Sequence, residues 1–240
     1  ADKRKNISGL VEAYGKDKEL QAIANLAIFA GIRKDITDME ENEKHVLTKM
    51  LLLLDKYDLY GKMAIPKKHD FTYEVPELYR IAAESRGVFV NAAFTEPFGL
   101  TLIEASACGL PFVATNDGGP RDILENCKNG ILVDPTDTQA ISRAIRTIIV
   151  DHEKWKELSS NGIKGVHKHY QWKAHVKKYL KELESFDKAE GRIEPKKGVK
   201  NPVGDRLTKL NTFLITDIDD TLIGDRSEER RVGKECATGC

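Results

Sequence analysis

Between residues 7 and 150, short apolar runs and amphipathic helical patterns alternate about six times, and this constrains the fold more than any other feature of the chain. The apolar runs are continuous rather than alternating with polar residues, as in strands covered on both faces. The pattern predicts strands at Ala24–Ala30, Lys62–Ile65, Val88–Ala93, Pro111–Thr115 and Ile131–Val133. It predicts helices at Asn6–Tyr14, Glu40–Tyr57, Pro76–Ser85, Leu100–Cys108, Pro120–Asn126, Asp137–Val150, His152–Asn161 and Trp172–Phe186. Local punctuation agrees: Gly31 and Pro66 stop strands, Pro76 suits a first helical turn, and Gly109 and Pro111 end a helix. The expected fold is α/β, a doubly wound, Rossmann-like parallel sheet. In such sheets ligands bind at the carboxyl ends of the strands, so the strand-to-helix loops are where chemistry is expected.

Charge narrows the partners. Lys+Arg and Asp+Glu both number 38, so no basic excess points to nucleic acid or to an acidic membrane surface. The longest apolar run, Met50–Leu54, falls far short of the ~20 residues that cross a bilayer. Ala1–Asn6 is charged and leads into a helical pattern, unlike a secretory signal, and the absence of an initial Met suggests an upstream part. Cysteines stand at 108, 127, 236 and 240 without a CxxC pair, which fits a reducing, cytoplasmic setting better than a disulfide scaffold. After residue 186 the apolar content drops, and Pro195-Lys196-Lys197-Gly198 and Asn201-Pro202 mark residues 187–211 as a linker.

The segment richest in chemistry is Thr95-Glu96-Pro97-Phe98-Gly99-Leu100-Thr101, followed by Glu104. A strand ends, a short loop follows, and a helix begins. The backbone amides of Phe98, Gly99, Leu100 and Thr101 are then expected to point out of the helix start as an anion site, with the helix dipole adding positive character. Gly99, lacking a Cβ, lets a ligand approach the backbone. Glu104 lies one turn beyond Thr101, on the same side. A carboxylate beside a phosphate site suits sugar hydroxyls as donors, a role open to Glu96 as well. The alternative is that both glutamates are ordinary solvated carboxylates.

With these residues in place, the chain resembles the retaining GT-B-type glycosyltransferases through their E-x7-E signature, here Glu96 to Glu104. Asp55–Gly61, Arg80–Ala83, Gly109–Pro111, Asn116–Pro120 and Asn129–Pro135 narrow the likeness to the sucrose-phosphate synthases. The resemblance covers residues 2–185 and corresponds to the C-terminal, donor-binding half of a two-domain enzyme. It implies transfer of glucose from UDP-glucose to fructose 6-phosphate with retention, forming sucrose 6-phosphate, with the acceptor site in an N-terminal domain and no cofactor for the transfer. It implies that Glu96 contacts the glucosyl hydroxyls, that the backbone of Phe98–Thr101 meets sugar and diphosphate, and that Glu104 binds the ribose. Lys5 resembles the family's diphosphate-binding lysine, with Arg4 a weaker candidate, and both otherwise read as solvated charges. Arg33 and the Pro66–His69 loop stand at strand ends where the base is expected. Sucrose synthase, another retaining nucleotide-sugar transferase, and a non-catalytic UDP-sugar-binding fragment are the competing readings.

A second motif, Phe213-Leu214-Ile215-Thr216-Asp217-Ile218-Asp219-Asp220-Thr221, resembles the first motif of the haloacid-dehalogenase-like phosphatases. The resemblance implies Asp217 as nucleophile and Asp219 as acid/base, both near Mg²⁺, which would be needed only by a complete domain. Residues 212–225 thus read as the truncated start of such a domain, inactive as it stands. Residues 226–240, with seven charges, read as a non-native or disordered tail.

Overall fold

The computed structural model describes residues 2–188. A one-turn 3-10 helix (Lys3–Lys5) leads through Asn6, in the left-handed region, into α1 (Ile7–Lys16). There follow α2 (Lys18–Ile23), β1 (Leu26–Ala27), α3 (Glu41–Lys56), β2 (Met63–Ala64), α4 (Glu74–Glu84), β3 (Phe89–Asn91) and α5 (Leu100–Ala107). The chain continues with β4 (Phe112–Thr115), α6 (Pro120–Cys127), β5 (Gly130–Val133), α7 (Thr138–Val150), α8 (His152–His169) and α9 (Trp172–Lys188).

All strand pairs are parallel. β1 pairs with β2, and β3, β4 and β5 lie side by side in that order. The register sets Asn91 of β3 against Ala114, and Thr115 of β4 against Val133. β4 is central and buried throughout, as its unbroken Phe-Val-Ala-Thr run requires. Its side chains alternate between two cores. Val113 joins Val11, Met50, Ile141, Ile148 and Trp155 under α1, α3, α7 and α8. Phe112 and Ala114 face Leu102, Ile123, Cys127 and Val166 from α5, α6 and α8. Helices therefore cover both faces of the sheet, as the alternating pattern requires. Each buried Val, Leu, Ile or Phe contributes about 1.5–3 kcal/mol.

Local sequence explains the helices. Asp137 caps α7 by accepting from the Gln139 and Ala140 amides, and Ile141, Ala144, Ile145 and Ile148 form its buried stripe. α3 buries Val46, Leu47, Met50 and Leu53 in the same way.

Some boundaries differ from the sequence reading. The first two strands shrink to two residues each and pair with one another, apart from the three-stranded sheet. α2 was not anticipated; Asp17 starts it by accepting from the Leu20 amide. α4 begins two residues before Pro76, because Asp70 and Glu74 exchange hydrogen bonds with the Tyr73 and Asp70 amides, and a proline inside the first turn has no amide to lose. α8 runs through Gly162 and Gly165 to His169 instead of stopping at Asn161. A Cβ on Gly165 would stand 2.5 Å from the Cys127 Cα, and one on Gly162 would stand 2.7 Å from Asn129 Nδ2. These glycines permit close packing on α6, on α5 and on Asn129 just before β5, and do not end the helix.

Candidate functional site

β3 ends at Asn91, and the loop to α5 returns a carboxylate to the strand it has just left. Glu96 is 8% exposed, and both its carboxylate and its backbone are tied to that neighbourhood. Its Oε2 accepts from Lys5 Nζ at 2.9 Å and from Asn91 Nδ2 at 3.0 Å. Its Oε1 accepts from the Gly99 amide at 3.1 Å. Its backbone carbonyl accepts from the Gly119 amide at 2.9 Å. The 3-10 turn that delivers Lys5 is fastened to the same loop, the Phe94 amide donating to the Arg4 carbonyl at 2.9 Å.

Burial pushes the Glu96 carboxyl up, but the hydrogen bonds from Lys5 and Asn91, the Lys5 charge and the Gly99 amide outweigh it, and the pKa lies below the ordinary 4.5. A carboxylate with a depressed folded-state pKa adds stability that is present above the unfolded value and lost as pH falls through the folded one. Urea unfolding between pH 7 and 3 is therefore expected to show wild type losing more stability below pH 4.5 than Glu96→Gln does. Equal slopes for the two proteins would mean that the carboxylate is not held in this way.

α5 opens at Gly99, whose φ of 91° and ψ of 41° are left-handed. A Cβ there would also meet Ile123 Cδ1 at 2.9 Å. The anion-site expectation needs one correction: the Gly99 amide is committed to Glu96, because the loop folds that carboxylate over the helix mouth. The amides of Phe98, Leu100 and Thr101 have no acceptor among the described residues, and all three side chains are exposed. The mouth keeps the dipole and donors needed for an anion.

The β4–α6 loop braces the β3–α5 loop. Glu96 and Gly118 form a parallel bridge, and Thr95 Oγ1 donates to Asp117 Oδ2 at 2.8 Å. A Cβ on Gly118, whose φ is +88°, would overlap the Glu96 carbonyl oxygen and stand 2.9 Å from its carbon.

Glu104 lies one turn along α5, facing α4. It lines a groove of about 430 Å³ with Phe71, Val75, Pro76, Tyr79 and Cys108. Burial raises its pKa, which a hydrogen bond from Tyr79 partly offsets. The Tyr79 hydroxyl is pushed up to about 12, by burial first and then by Glu104. The phenol thus stays a donor, and its ring packs edge-on against Phe89 at 5.6 Å. The groove combines apolar walls with a carboxylate.

The structure thus brings Lys5, Glu96, Gly99 and the open amides of α5 together, with Glu104 in the neighbouring groove. Arg4 is placed otherwise: its exposed guanidinium holds Asp2 through Nε at 3.0 Å and Nη2 at 2.7 Å. That hydrogen bond lowers the Asp2 pKa to about 2. Arg33 ties two strand ends, donating to the carbonyls of Pro66 and Ile65 at 2.9 Å each. His69 sits edge-on to Phe29, ring centroids 5.8 Å apart. Cys108 and Cys127 are free thiols. Asp217, Asp219, the tail and residues 189–211 of the expected linker lie outside the described residues, while α9 carries the chain on to Lys188, two residues past the expected helix end. Among those described, no group of three His, Cys, Asp or Glu could hold a metal ion, and no helix is long and apolar enough to cross a membrane. Asn91, Tyr79 and the bracing role of Gly118 were missed in the sequence. The only signal for Asn91 was a polar residue inside an apolar strand.

The family model "Glycosyl transferases group 1" matches residues 1–165. Sucrose-phosphate synthase 1 of Arabidopsis thaliana is 49% identical over 185 residues, which is 77% of this chain and 18% of that protein. The Zea mays sucrose-phosphate synthase is 50% identical over 179 residues, 75% of this chain and 17% of the relative. The chain therefore spans less than a fifth of the length of these curated relatives. Among solved structures, sucrose-phosphate synthase from Thermosynechococcus elongatus superposes with a TM-score of 0.58 at 25% identity, covering 77% of this chain and 44% of that one. The C-terminal domain of LpcC from Francisella tularensis, a group 1 glycosyl transferase, shares the fold at TM-score 0.60 and 20% identity, covering 72% of this chain and 83% of that one.

Proposed function

Because this chain belongs to the group 1 glycosyl transferases and has the α/β Rossmann-like fold of GT-B C-terminal domains, we propose that residues 1–186 form the donor-binding half of a retaining glucosyltransferase. It would take UDP-glucose and make sucrose 6-phosphate from fructose 6-phosphate. One observation carries the reading above all: a buried glutamate, a lysine and the amides of one helix mouth meet in a single place. Lys5 and the amides of α5 supply the positive side for a diphosphate. Glu96 offers acceptors to the glucosyl hydroxyls, and Glu104, in its groove, accepts from the ribose hydroxyls. The identity to sucrose-phosphate synthases supports the choice of donor and acceptor.

In this reading the bond from the anomeric carbon to the diphosphate oxygen breaks while the acceptor oxygen bonds to that carbon from the same face. The acceptor proton passes to the departing phosphate oxygen. Glu96 positions the sugar and moves no proton, and Lys5 meets the charge that develops on the leaving group. The acceptor site lies outside the region matched to the relatives. Residues 187–211 serve as a linker, and residues 212–225 begin a phosphatase-like domain.

Calorimetry with UDP-glucose on this chain tests donor binding; absence of binding would sink the reading. Glu104→Ala is expected to weaken UDP about tenfold, the size of a hydrogen bond to a charged group. An unchanged UDP affinity would remove Glu104 from the ribose. Formation of sucrose 6-phosphate, assayed in a protein that also carries the acceptor half, tests the transfer itself.

A further inference from the structure

Glu96 is held by two side chains of different character. Lys5 rides on a short turn at the start of the described chain, and its side chain is 53% exposed. Asn91 is the last residue of β3, in register with buried Ala114 of the central strand. Its amide is fixed at both ends: Nδ2 donates to Glu96 Oε2 at 3.0 Å, and Oδ1 accepts from the Ala93 amide at 3.2 Å. That second bond settles which end of the amide faces the carboxylate, since Glu96 can only accept.

A diphosphate at the mouth of α5 competes with Glu96 for Lys5. If Lys5 were the sole side-chain anchor, donor binding would release the very carboxylate needed to hold the sugar. We infer that Asn91 is a positioning residue that keeps Glu96 oriented toward the glucosyl group when Lys5 turns to the diphosphate. The inference rests on the donor-site reading above and adds to it a division of labour: a mobile cation for the phosphates and a rigid amide for the glutamate. Asn91 itself touches no substrate.

Asn91→Asp isolates the contact. It keeps the shape and the acceptor for the Ala93 amide but replaces the donor facing Glu96 with a second carboxylate. The charged or titratable neighbours are Lys5, beside the Arg4–Asp2 pair, on the 3-10 turn, Asp117 and Arg121 on the β4–α6 segment, and Glu104 on α5. Of these only Lys5 contacts the Glu96 carboxylate. At pH 8 the two carboxylates repel, and Glu96 swings away. As pH falls, the pair takes up one proton, and the neutral acid at position 91 donates to Glu96 again.

The expected result, by calorimetry on the full chain at pH 8, is that Asn91→Asp weakens UDP-glucose about tenfold and UDP less than about twofold, the size of one hydrogen bond to a charged group. The variant's deficit in UDP-glucose affinity relative to wild type at the same pH should shrink as pH falls toward 5, while its UDP affinity relative to wild type stays flat. A purely structural role would not give acid rescue. Glu96→Gln separates the two levels of the argument. If it weakens UDP-glucose and Asn91→Asp does not, Asn91 is no positioning residue and the donor-site reading stands. If neither variant discriminates UDP-glucose from UDP, both fall. Should Asn91→Asp fail to fold, Asn91→Ala carries the test: selective loss of UDP-glucose affinity supports the inference, and retained affinity overturns it.

Discussion

On the proposed donor-site reading, replacing Glu96 by Ala is expected to lower glucosyl transfer by about 10²–10³-fold and to move UDP affinity by less than about threefold, when both are measured in a protein carrying the acceptor half. The asymmetry follows from the position of the carboxylate. Its two oxygens already face Lys5, Asn91 and the Gly99 amide, so a sugar held there is held in one orientation. Misplacing the anomeric carbon by even ~1 Å costs about 10²-fold, because the bond-forming geometry is lost before binding is. Lys5, freed from its partner, remains available to the diphosphate and keeps UDP bound. Glu96→Gln refines the result. It preserves the shape while weakening the acceptor, so its rate should fall between those of wild type and Glu96→Ala. A parallel fall of UDP affinity and rate in Glu96→Ala would show that the residue holds up the helix mouth and does not position the sugar.

Elements with strong local causes were legible in the sequence. The buried run of β4, the capped stripe of α7 and the loop from Thr95 to Thr101 each follow from a period, a cap or a turn. What escaped depends on partners far along the chain. Gly162 and Gly165 look like helix breakers until Asn129 and Cys127 are seen packed against them. β1 and β2 read as longer strands because their apolar residues continue past the two paired positions into the core, as Ile28 does at 6% exposure with its amide donating to the Ala64 carbonyl. At the site, the motif residues stood out, but their pairing did not. Lys5 and Glu96 are 91 residues apart, and no spacing rule links them. Nor could composition show that Arg4 would turn to Asp2, or that the Gly99 amide would be claimed by Glu96. Long-range pairing is set by topology, which a periodicity argument reaches only coarsely.

Gly118→Ala tests that topology where it supports the site. Three glycines separate the contributions. Gly61 has φ +73° with nothing within 4 Å of a built Cβ, so Gly61→Ala meets backbone strain alone; a cost of about 1–2 kcal/mol is expected. Gly119 has an ordinary φ of −57°, but its Cβ would overlap the Phe98 carbonyl oxygen and lie 2.7 Å from its carbon. Gly119→Ala therefore meets overlap alone, at about 1–3 kcal/mol. Gly118 combines a left-handed φ with overlap on the Glu96 carbonyl, so about 3 kcal/mol or more is expected in denaturant unfolding. The clash falls on backbone that pairs with the neighbouring loop, and a flexible side chain is not there to yield. Relief requires the β3–α5 and β4–α6 loops to part, which carries Glu96 away from Lys5 and Asn91. The Gly118 variant should therefore lose UDP-glucose affinity under conditions where it is still folded, while the Gly61 variant loses stability only. If Gly118→Ala proved no costlier than Gly61→Ala, the two loops would not be braced against each other, and the site would have to draw its rigidity from β3 alone.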